Sequence, residues 1–148
     1  EGDFDFVDEL FGQYELNKAL TRADYVVVIV PLTPETEGMI GKDEFEAMKE
    51  SAYFINMARG EVVDEPVMIE ALRDGKIAGA GLDVFEKEPL PEDSPLYELD
   101  NVLITPHLGG AFPGYNKKAI EIVKENLEKF VENKKSEMIN KVDYNLGY

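Results

Sequence analysis

A continuous apolar run, Tyr25-Val-Val-Val-Ile-Val30, closed by Pro31, is the feature that most constrains the fold. Consecutive β-branched residues favour a strand, and a strand that is apolar on both faces is typical of a parallel sheet covered by helices on both sides. Three further segments also fit strands: Ala52–Asn56, Ile77–Val84 and Val102–Thr105. We therefore predict a four-stranded parallel sheet in which the first strand is buried.

Helical patterns occur between and after these strands. The segments are Leu16–Arg22, Lys42–Met48, Asp64–Asp74 and the long amphipathic Pro113–Val131. Asp64 is a favourable N-cap residue, and Pro66 stands in the first helical turn, where its missing N–H costs nothing. Gly75 follows the same helix at the position where a left-handed residue often ends one. The alternation of strand and helix with short connections predicts an α/β fold, the second half of a Rossmann-type sheet with flanking helices.

Composition excludes several classes of function. The chain has 15 basic and 31 acidic residues and a formal net charge of −16, which argues against binding to nucleic acid or to an anionic membrane. It has no cysteine, so it has neither a disulfide nor a thiolate metal site, and we expect no bound metal. Absence of cysteine suits the cytoplasm. The longest apolar stretch, Tyr25–Leu32, is too short to span a bilayer.

Ligands of open parallel sheets bind at the carboxyl ends of the strands. The segments that follow the four predicted strands are Pro31–Thr36, Met57–Gly60, Asp83–Glu88 and Pro106–Gly110. These four segments are therefore where we expect the chemistry of the chain.

An arginine follows the second predicted strand directly. Burying its charge without a partner is costly, so Arg59 is expected to face solvent or an anion at the strand end. A guanidinium there is suited to grip a carboxylate with two parallel hydrogen bonds. The alternative is an ordinary surface arginine paired with Glu61 or Asp64.

Two acids and the single histidine of the chain follow the third and fourth predicted strands. Asp83, Glu88 and His107 could each be an ordinary solvated loop residue. Imidazole, however, is the side chain best suited to move a proton near neutral pH. An arginine, a carboxylate and an imidazole at adjacent strand ends form the set needed to reduce a 2-keto acid.

Four stretches in register point to a known family. They are Ala23–Thr36, Asn56–Asp64, Gly79–Pro89 and Thr105–Gly110, and 29 residues separate Arg59 from Glu88 while 19 separate Glu88 from His107. In order and spacing they resemble the NAD(P)-dependent D-isomer-specific 2-hydroxyacid dehydrogenases. That resemblance covers most of the chain from Ala23 to Gly110.

The resemblance implies roles for individual residues. Arg59 matches the residue that binds the substrate's carboxylate and carbonyl, His107 the general acid/base, and Glu88 the carboxylate that hydrogen-bonds this histidine. Asp83 matches the residue that receives the nicotinamide carboxamide. The implied cofactor contacts, beside Arg59, Asp83 and His107, are Val30, Pro31, Met57, Ala58, Gly109 and Gly110. The resemblance further implies NAD or NADP as cofactor, a small 2-keto or D-2-hydroxy acid as substrate, and a cytoplasmic homodimer.

The chain also departs from the family pattern. No G-x-G-x-x-G precedes the first strand, and no residue that would read the cofactor ribose follows a second strand upstream. We expect residues 1–111 to be the second half of a dinucleotide-binding domain. Residues 112–148 are expected to be a crossing helix and a C-terminal segment of a substrate domain that is mostly absent.

Such a chain alone should be a poor enzyme, because it lacks the glycine-rich turn whose backbone N–H groups bind the pyrophosphate. Two alternatives remain, a dehydrogenase-like corepressor and an inactive fragment that acts by binding.

Overall fold

A computed structural model describes residues 6–144 and contains one four-stranded parallel sheet. Its strands, in spatial order, are β1 (Tyr25–Val28), β2 (Tyr53–Asn56), β3 (Gly79–Leu82) and β4 (Val102–Ile104). The helices are α1 (Leu16–Leu20), α2 (Lys42–Ala47), α3 (Glu65–Arg73) and α4 (Tyr115–Val131). Short 3-10 turns occur at Gln13–Glu15, Gly60–Val62, Pro95–Glu98 and Lys135–Glu137. The predicted α/β fold is confirmed, with strands shorter than their apolar segments.

The four strands end level with one another. In the parallel register Val28 lies beside Asn56, Asn56 beside Leu82, and Leu82 beside Ile104. The pairing continues one residue further, since the backbone N–H of Asp83 donates to the carbonyl oxygen of Asn56 at 3.1 Å. This register brings the segments after the strands to one edge of the sheet, as predicted.

The hydrophobic core lies between the sheet and helices α2 and α3. Phe45 of α2 and Phe54 of β2 are fully buried, and their rings meet edge to face with centroids 5.2 Å apart. Met68 and Leu72 of α3 are buried in the same cluster. Close packing of this kind makes the sheet a rigid support for the loops at its edge.

The prediction that the first strand is buried on both faces is wrong. Tyr25 is 69% exposed and Ile29 is 74% exposed, and only the side of β1 that carries Val28 faces the core. The reason is position: β1 is an edge strand that pairs with β2 alone, and within the described part of its unit no helix covers the face opposite the core. On that face Tyr25 stacks on Tyr53, with ring centroids 5.8 Å apart.

The described chain divides into two compact units, the first ending at His107 and the second beginning at Leu108. The second unit contains α4, which is amphipathic as predicted. Its apolar stripe is more than half exposed and consists of Ile120, Val123, Leu127 and Phe130. The Asn126 side chain donates to the carbonyl oxygen of Ile139 and accepts from its N–H, which ties the segment after α4 back to the helix.

The expected domain boundary between residues 111 and 112 stays a prediction, and residues 1–5 and 145–148 of the two expected domains lie outside the described residues. Among the described helices none is long and apolar enough to cross a membrane.

The predicted start of α3 is confirmed and can be tested. An oxygen of the Asp64 side chain accepts the backbone N–H of Val67 at 3.1 Å, and Pro66 lies in the first turn. Asp64→Ala should lower the free energy of unfolding by about 1 kcal/mol, because one backbone donor loses its partner. Asp64→Asn is the matched control, since it keeps an oxygen acceptor. Equal losses for both variants in urea unfolding would show that the cap does not stabilise the helix.

Candidate active site

The loop after β2 is shaped by one buried carboxamide. The Asn56 side chain is 2% exposed; its Nδ2 donates to the carbonyl oxygen of Arg59 at 3.0 Å, and its Oδ1 accepts the N–H of Ala58 at 3.0 Å. Both ends of the carboxamide are therefore used to fold the chain back after the strand. Sequence reasoning did not single out Asn56, although a polar residue at the end of a buried apolar strand is a usable signal.

Arg59 stands on this folded loop with its side chain exposed at the sheet edge. Its Nη1 donates to the carbonyl oxygen of Ala58 at 2.7 Å. Neither of the alternative partners is used: within residues 6–144 no salt bridge joins Arg59 to Glu61 or Asp64. Asp64 instead caps α3. The guanidinium is thus placed at the strand ends without a carboxylate partner from its own loop.

The loops after β2 and β3 are in direct backbone contact. A Cβ atom at Gly60 would overlap the backbone of Phe85 and Glu86, so only glycine permits this approach. A second link comes from α3, because Oε2 of Glu65 accepts the backbone N–H of Glu86 at 3.1 Å. Burial raises the pKa of the Glu65 carboxyl. The Arg59 loop and the Asp83–Glu88 loop therefore form one connected surface.

Glu88 and His107 form a hydrogen-bonded pair. Oε2 of Glu88 lies 2.7 Å from Nδ1 of His107, while its Oε1 accepts the backbone N–H of Phe85 at 3.1 Å. The hydrogen bond from His107 holds the pKa of the Glu88 carboxyl below its usual range, and the charge of Arg59 acts in the same direction. Two residues that are 19 positions apart in sequence are thus brought together, and the charge of a third residue, Arg59, acts on Glu88.

The backbone at His107 has an unusual conformation. Its φ is +52°, in the left-handed region that residues other than glycine rarely adopt, and its N–H donates to the carbonyl oxygen of Thr105 at 3.1 Å. Strained residues of this kind cluster at functional sites, where the surrounding structure holds them in place. In this conformation Nδ1 of the imidazole lies 2.7 Å from Oε2 of Glu88.

Asp83 is a buried acid at the end of β3, with 7% of its surface exposed. Its Oδ1 accepts a hydrogen bond of 2.5 Å from Oγ1 of Thr105, the residue that follows β4. Thr105 was not singled out from sequence as a site residue. A hydroxyl residue directly after a strand and two positions before the only histidine is the signal that could have found it.

A cavity of about 500 Å³ adjoins the pair of Glu88 and His107. Its remaining wall is largely apolar and includes Leu90, Tyr97 and Ile104. Among residues 6–144 no group of three or more histidine or acidic side chains is arranged to hold a metal ion.

The other predicted cofactor contacts are placed as follows. Val30, half-buried, and Pro31, exposed, follow β1; Met57, exposed, and Ala58, buried, follow β2. The structure thus brings these four residues to the same sheet edge as Arg59. The remaining two, Gly109 and Gly110, belong to the second unit and are exposed there.

The family model described as "D-isomer specific 2-hydroxyacid dehydrogenase, NAD binding domain" matches residues 4–109. The chain belongs to this family. The matched range contains the four sequence stretches except for Gly110, and it contains all four strands.

Individual relatives are similar over most of the chain. Glyoxylate/hydroxypyruvate reductase B of Enterobacter sp. (strain 638) is 61% identical over 97 residues, which are 66% of this chain and 30% of that protein. Glyoxylate reductase of Korarchaeum cryptofilum is 46% identical over 127 residues, which are 85% of this chain and 38% of that protein. The chain therefore spans about a third of the length of these two relatives.

A solved structure agrees with the fold. The D-isomer specific 2-hydroxyacid dehydrogenase of Xanthobacter autotrophicus Py2, solved in complex with NADPH and MES, superimposes with a TM-score of 0.85 at 44% identity. The superposition covers 93% of this chain and 55% of that chain.

The contact between the two loops at Gly60 generates a prediction. Gly60→Ala should lower the free energy of unfolding by about 1–3 kcal/mol, because the added methyl group forces the Asp83–Glu88 loop away. Gly81→Ala on β3 is the matched control, since its methyl would meet Cγ1 of Ile55 at an ordinary 3.7 Å. Similar stability of the two variants in chemical unfolding would contradict the close contact.

A second prediction concerns the carboxyl group of Glu88. Because the hydrogen bond from His107 is the largest cause of its lowered pKa, His107→Ala should raise that pKa toward its usual value. Carbon-13 NMR of the side-chain carboxyls across a pH titration measures the change directly. Glu15, whose pKa is lowered mainly by Lys18, is an internal control that should not move.

The lowered pKa of Glu88 also predicts how the stability of the protein depends on pH. A carboxyl whose pKa is depressed in the folded protein stabilises it at pH above the unfolded value, and this stabilisation is lost as pH falls through the folded pKa. The loss on acidification should therefore be smaller in His107→Ala than in the unchanged protein. Superimposable Glu88 titrations of the two proteins would refute the pairing.

Proposed function

We propose that the full-length protein carrying this chain is an NAD(P)-dependent oxidoreductase that interconverts small 2-keto acids and D-2-hydroxy acids. The observation that carries the proposal is the hydrogen-bonded pair of Glu88 and His107 beside Arg59 at one sheet edge, in a chain of this family. The names of the relatives, which are glyoxylate and hydroxypyruvate reductases, support a small 2-keto acid as the substrate.

The residues present fit one end of a nicotinamide cofactor. Asp83 offers a carboxylate at the strand end, suited to accept the N–H groups of a carboxamide, and Ala58 and Val30 provide apolar neighbours along the same edge. When bound, the cofactor supplies or accepts the hydride. The 148 residues contain no G-x-G-x-x-G, so the pyrophosphate end must be held by residues outside this chain. The chain alone is therefore expected to bind the cofactor weakly.

Arg59 and His107 have complementary tasks on the substrate. The Arg59 guanidinium binds the carboxylate of the 2-keto acid and draws electron density from the adjacent carbonyl. In reduction, the protonated imidazole of His107 gives its Nε2 proton to the carbonyl oxygen as that oxygen becomes a hydroxyl. In the reverse direction the neutral imidazole takes this proton back.

Glu88 determines which nitrogen of His107 is available. Because Glu88 occupies Nδ1 at 2.7 Å, Nε2 is the nitrogen left to face the substrate. The same hydrogen bond fixes the orientation of the imidazole ring relative to the sheet edge. A lowered pKa keeps Glu88 ionised, so its charge is present over the working pH range.

We further propose that residues 112–148 are the crossing helix and the C-terminal segment of a substrate domain, and that Gly109 and Gly110 are cofactor-binding residues. The expected homodimer and the cytoplasmic location stay predictions.

The test is a cofactor oxidation assay on the full-length protein. NADH and NADPH are offered with glyoxylate, hydroxypyruvate, pyruvate and phosphohydroxypyruvate. His107→Gln should lower kcat by roughly 100- to 10,000-fold, because the proton donor is lost. Glu86→Gln, on the same loop but outside the proposed trio, is the matched control and should keep near-normal activity. No turnover of any of the four acids by the unchanged protein would overturn the proposal.

A further inference from the structure

Thr105 makes hydrogen bonds to two of the proposed site residues, Asp83 and His107. Its hydroxyl donates to Oδ1 of Asp83 at 2.5 Å, and its carbonyl oxygen accepts the backbone N–H of His107 at 3.1 Å. Its own N–H donates to the carbonyl oxygen of Leu82 at 2.9 Å, which continues the pairing of β3 with the chain after β4. Thr105 is therefore held at a fixed place on the sheet edge by its backbone, while its side chain contacts the acid beside it.

The hydroxyl restricts how the Asp83 carboxylate can turn. The terminal torsion of an aspartate is broad, so a carboxylate without a directional contact samples many orientations. A short hydrogen bond from a hydroxyl to a carboxylate is directional and stronger than a neutral one. Threonine is also stiff about its first side-chain torsion because it is β-branched, so the position of its Oγ1 is well defined.

Building on the proposed function, we propose that Thr105 is a positioning residue that orients Asp83 to receive the carboxamide of the nicotinamide cofactor. The hydroxyl need not touch the cofactor. It restricts the rotation of the carboxylate through Oδ1, and the plane of the carboxylate determines whether an oxygen of Asp83 lines up with the amide N–H group. Thr105 would thereby select cofactors that bear an amide at this position.

A purely structural role for Thr105 makes a different prediction. If the hydrogen bond only closes the end of β4 against β3, its loss would weaken binding of any nicotinamide-like cofactor to the same degree. The two roles are therefore separated by a cofactor analogue that differs only at the amide. In the reduced 3-acetylpyridine analogue of NADH, a methyl ketone replaces the carboxamide and no N–H group is available to Asp83.

Binding of NADH and of this analogue is measured by calorimetry with the full-length protein and with Thr105→Val, which keeps the shape and removes the hydroxyl. We expect Thr105→Val to weaken NADH binding by about five- to tenfold, because an Asp83 carboxylate that is no longer held in orientation loses part of its hydrogen bond from the amide N–H. Binding of the analogue should change by less than about twofold, because it makes no amide contact. Thr105→Ser retains the hydroxyl and should restore most of the NADH affinity.

Equal weakening of both cofactors, or unchanged NADH binding in Thr105→Val, would overturn the inference and leave the proposed function intact. Failure of the unchanged protein to bind NADH or NADPH would overturn the proposed function and the inference with it. If Thr105→Val does not fold, Thr105→Ala provides a second hydroxyl-free variant. A urea-unfolding midpoint for each variant separates loss of affinity from loss of structure.

Discussion

The parallel register of the four strands is the constraint on which the site depends. The last residues of the four strands lie side by side in the sheet: Val28, Asn56, Leu82 and Ile104. The segments that follow the strands therefore begin at the same edge. Backbone hydrogen bonds fix this register. A slip of one residue in any strand would turn every side chain of that strand to the opposite face of the sheet. Residues as distant in sequence as Arg59 and His107 share a site because their strands stop together.

Close packing at the edge then converts neighbouring loops into a single surface. Glycine at position 60 allows the chain after β2 to lie against the backbone of Phe85, and Asn56 uses both ends of its carboxamide to fold the same loop. These contacts involve backbone atoms or fully buried groups, whose geometry varies little. The side chains of the proposed trio are, by contrast, exposed, and that rigid support positions them.

Charge is distributed in a way that suits the proposed anionic substrate despite a net charge of −16. Arg59 has no carboxylate partner on its own loop within the described residues, and its charge reaches Glu88. Glu88 in turn hydrogen-bonds the only histidine of the chain. The neighbours of Glu88 thus favour its ionised form. The Arg59 guanidinium stays available to an anionic ligand, and its positive charge offsets the repulsion between that ligand and the acidic surface.

The sequence by itself determined the fold class and the order of the elements, and it predicted the proposed trio of Arg59, Glu88 and His107. Alternating apolar runs and capped helices specify an α/β chain, and Asp64 with Pro66 locates the start of α3, because these signals are local and depend on neighbouring residues only. Only the tertiary structure decided what lies on the two faces of β1. A run that is apolar on both faces does not reveal whether its strand is central or at an edge.

The same division applies to the site. Motif order placed Arg59, Glu88 and His107 at strand ends, but only the structure shows the 2.7 Å contact between Glu88 and His107 and the left-handed backbone at the histidine. The supporting roles of Asn56, Gly60 and Thr105 also arise from contacts across loops. Those contacts join residues that are far apart in the chain, and a local sequence pattern does not encode the distances between them. Only the packed sheet brings these residues within hydrogen-bonding distance.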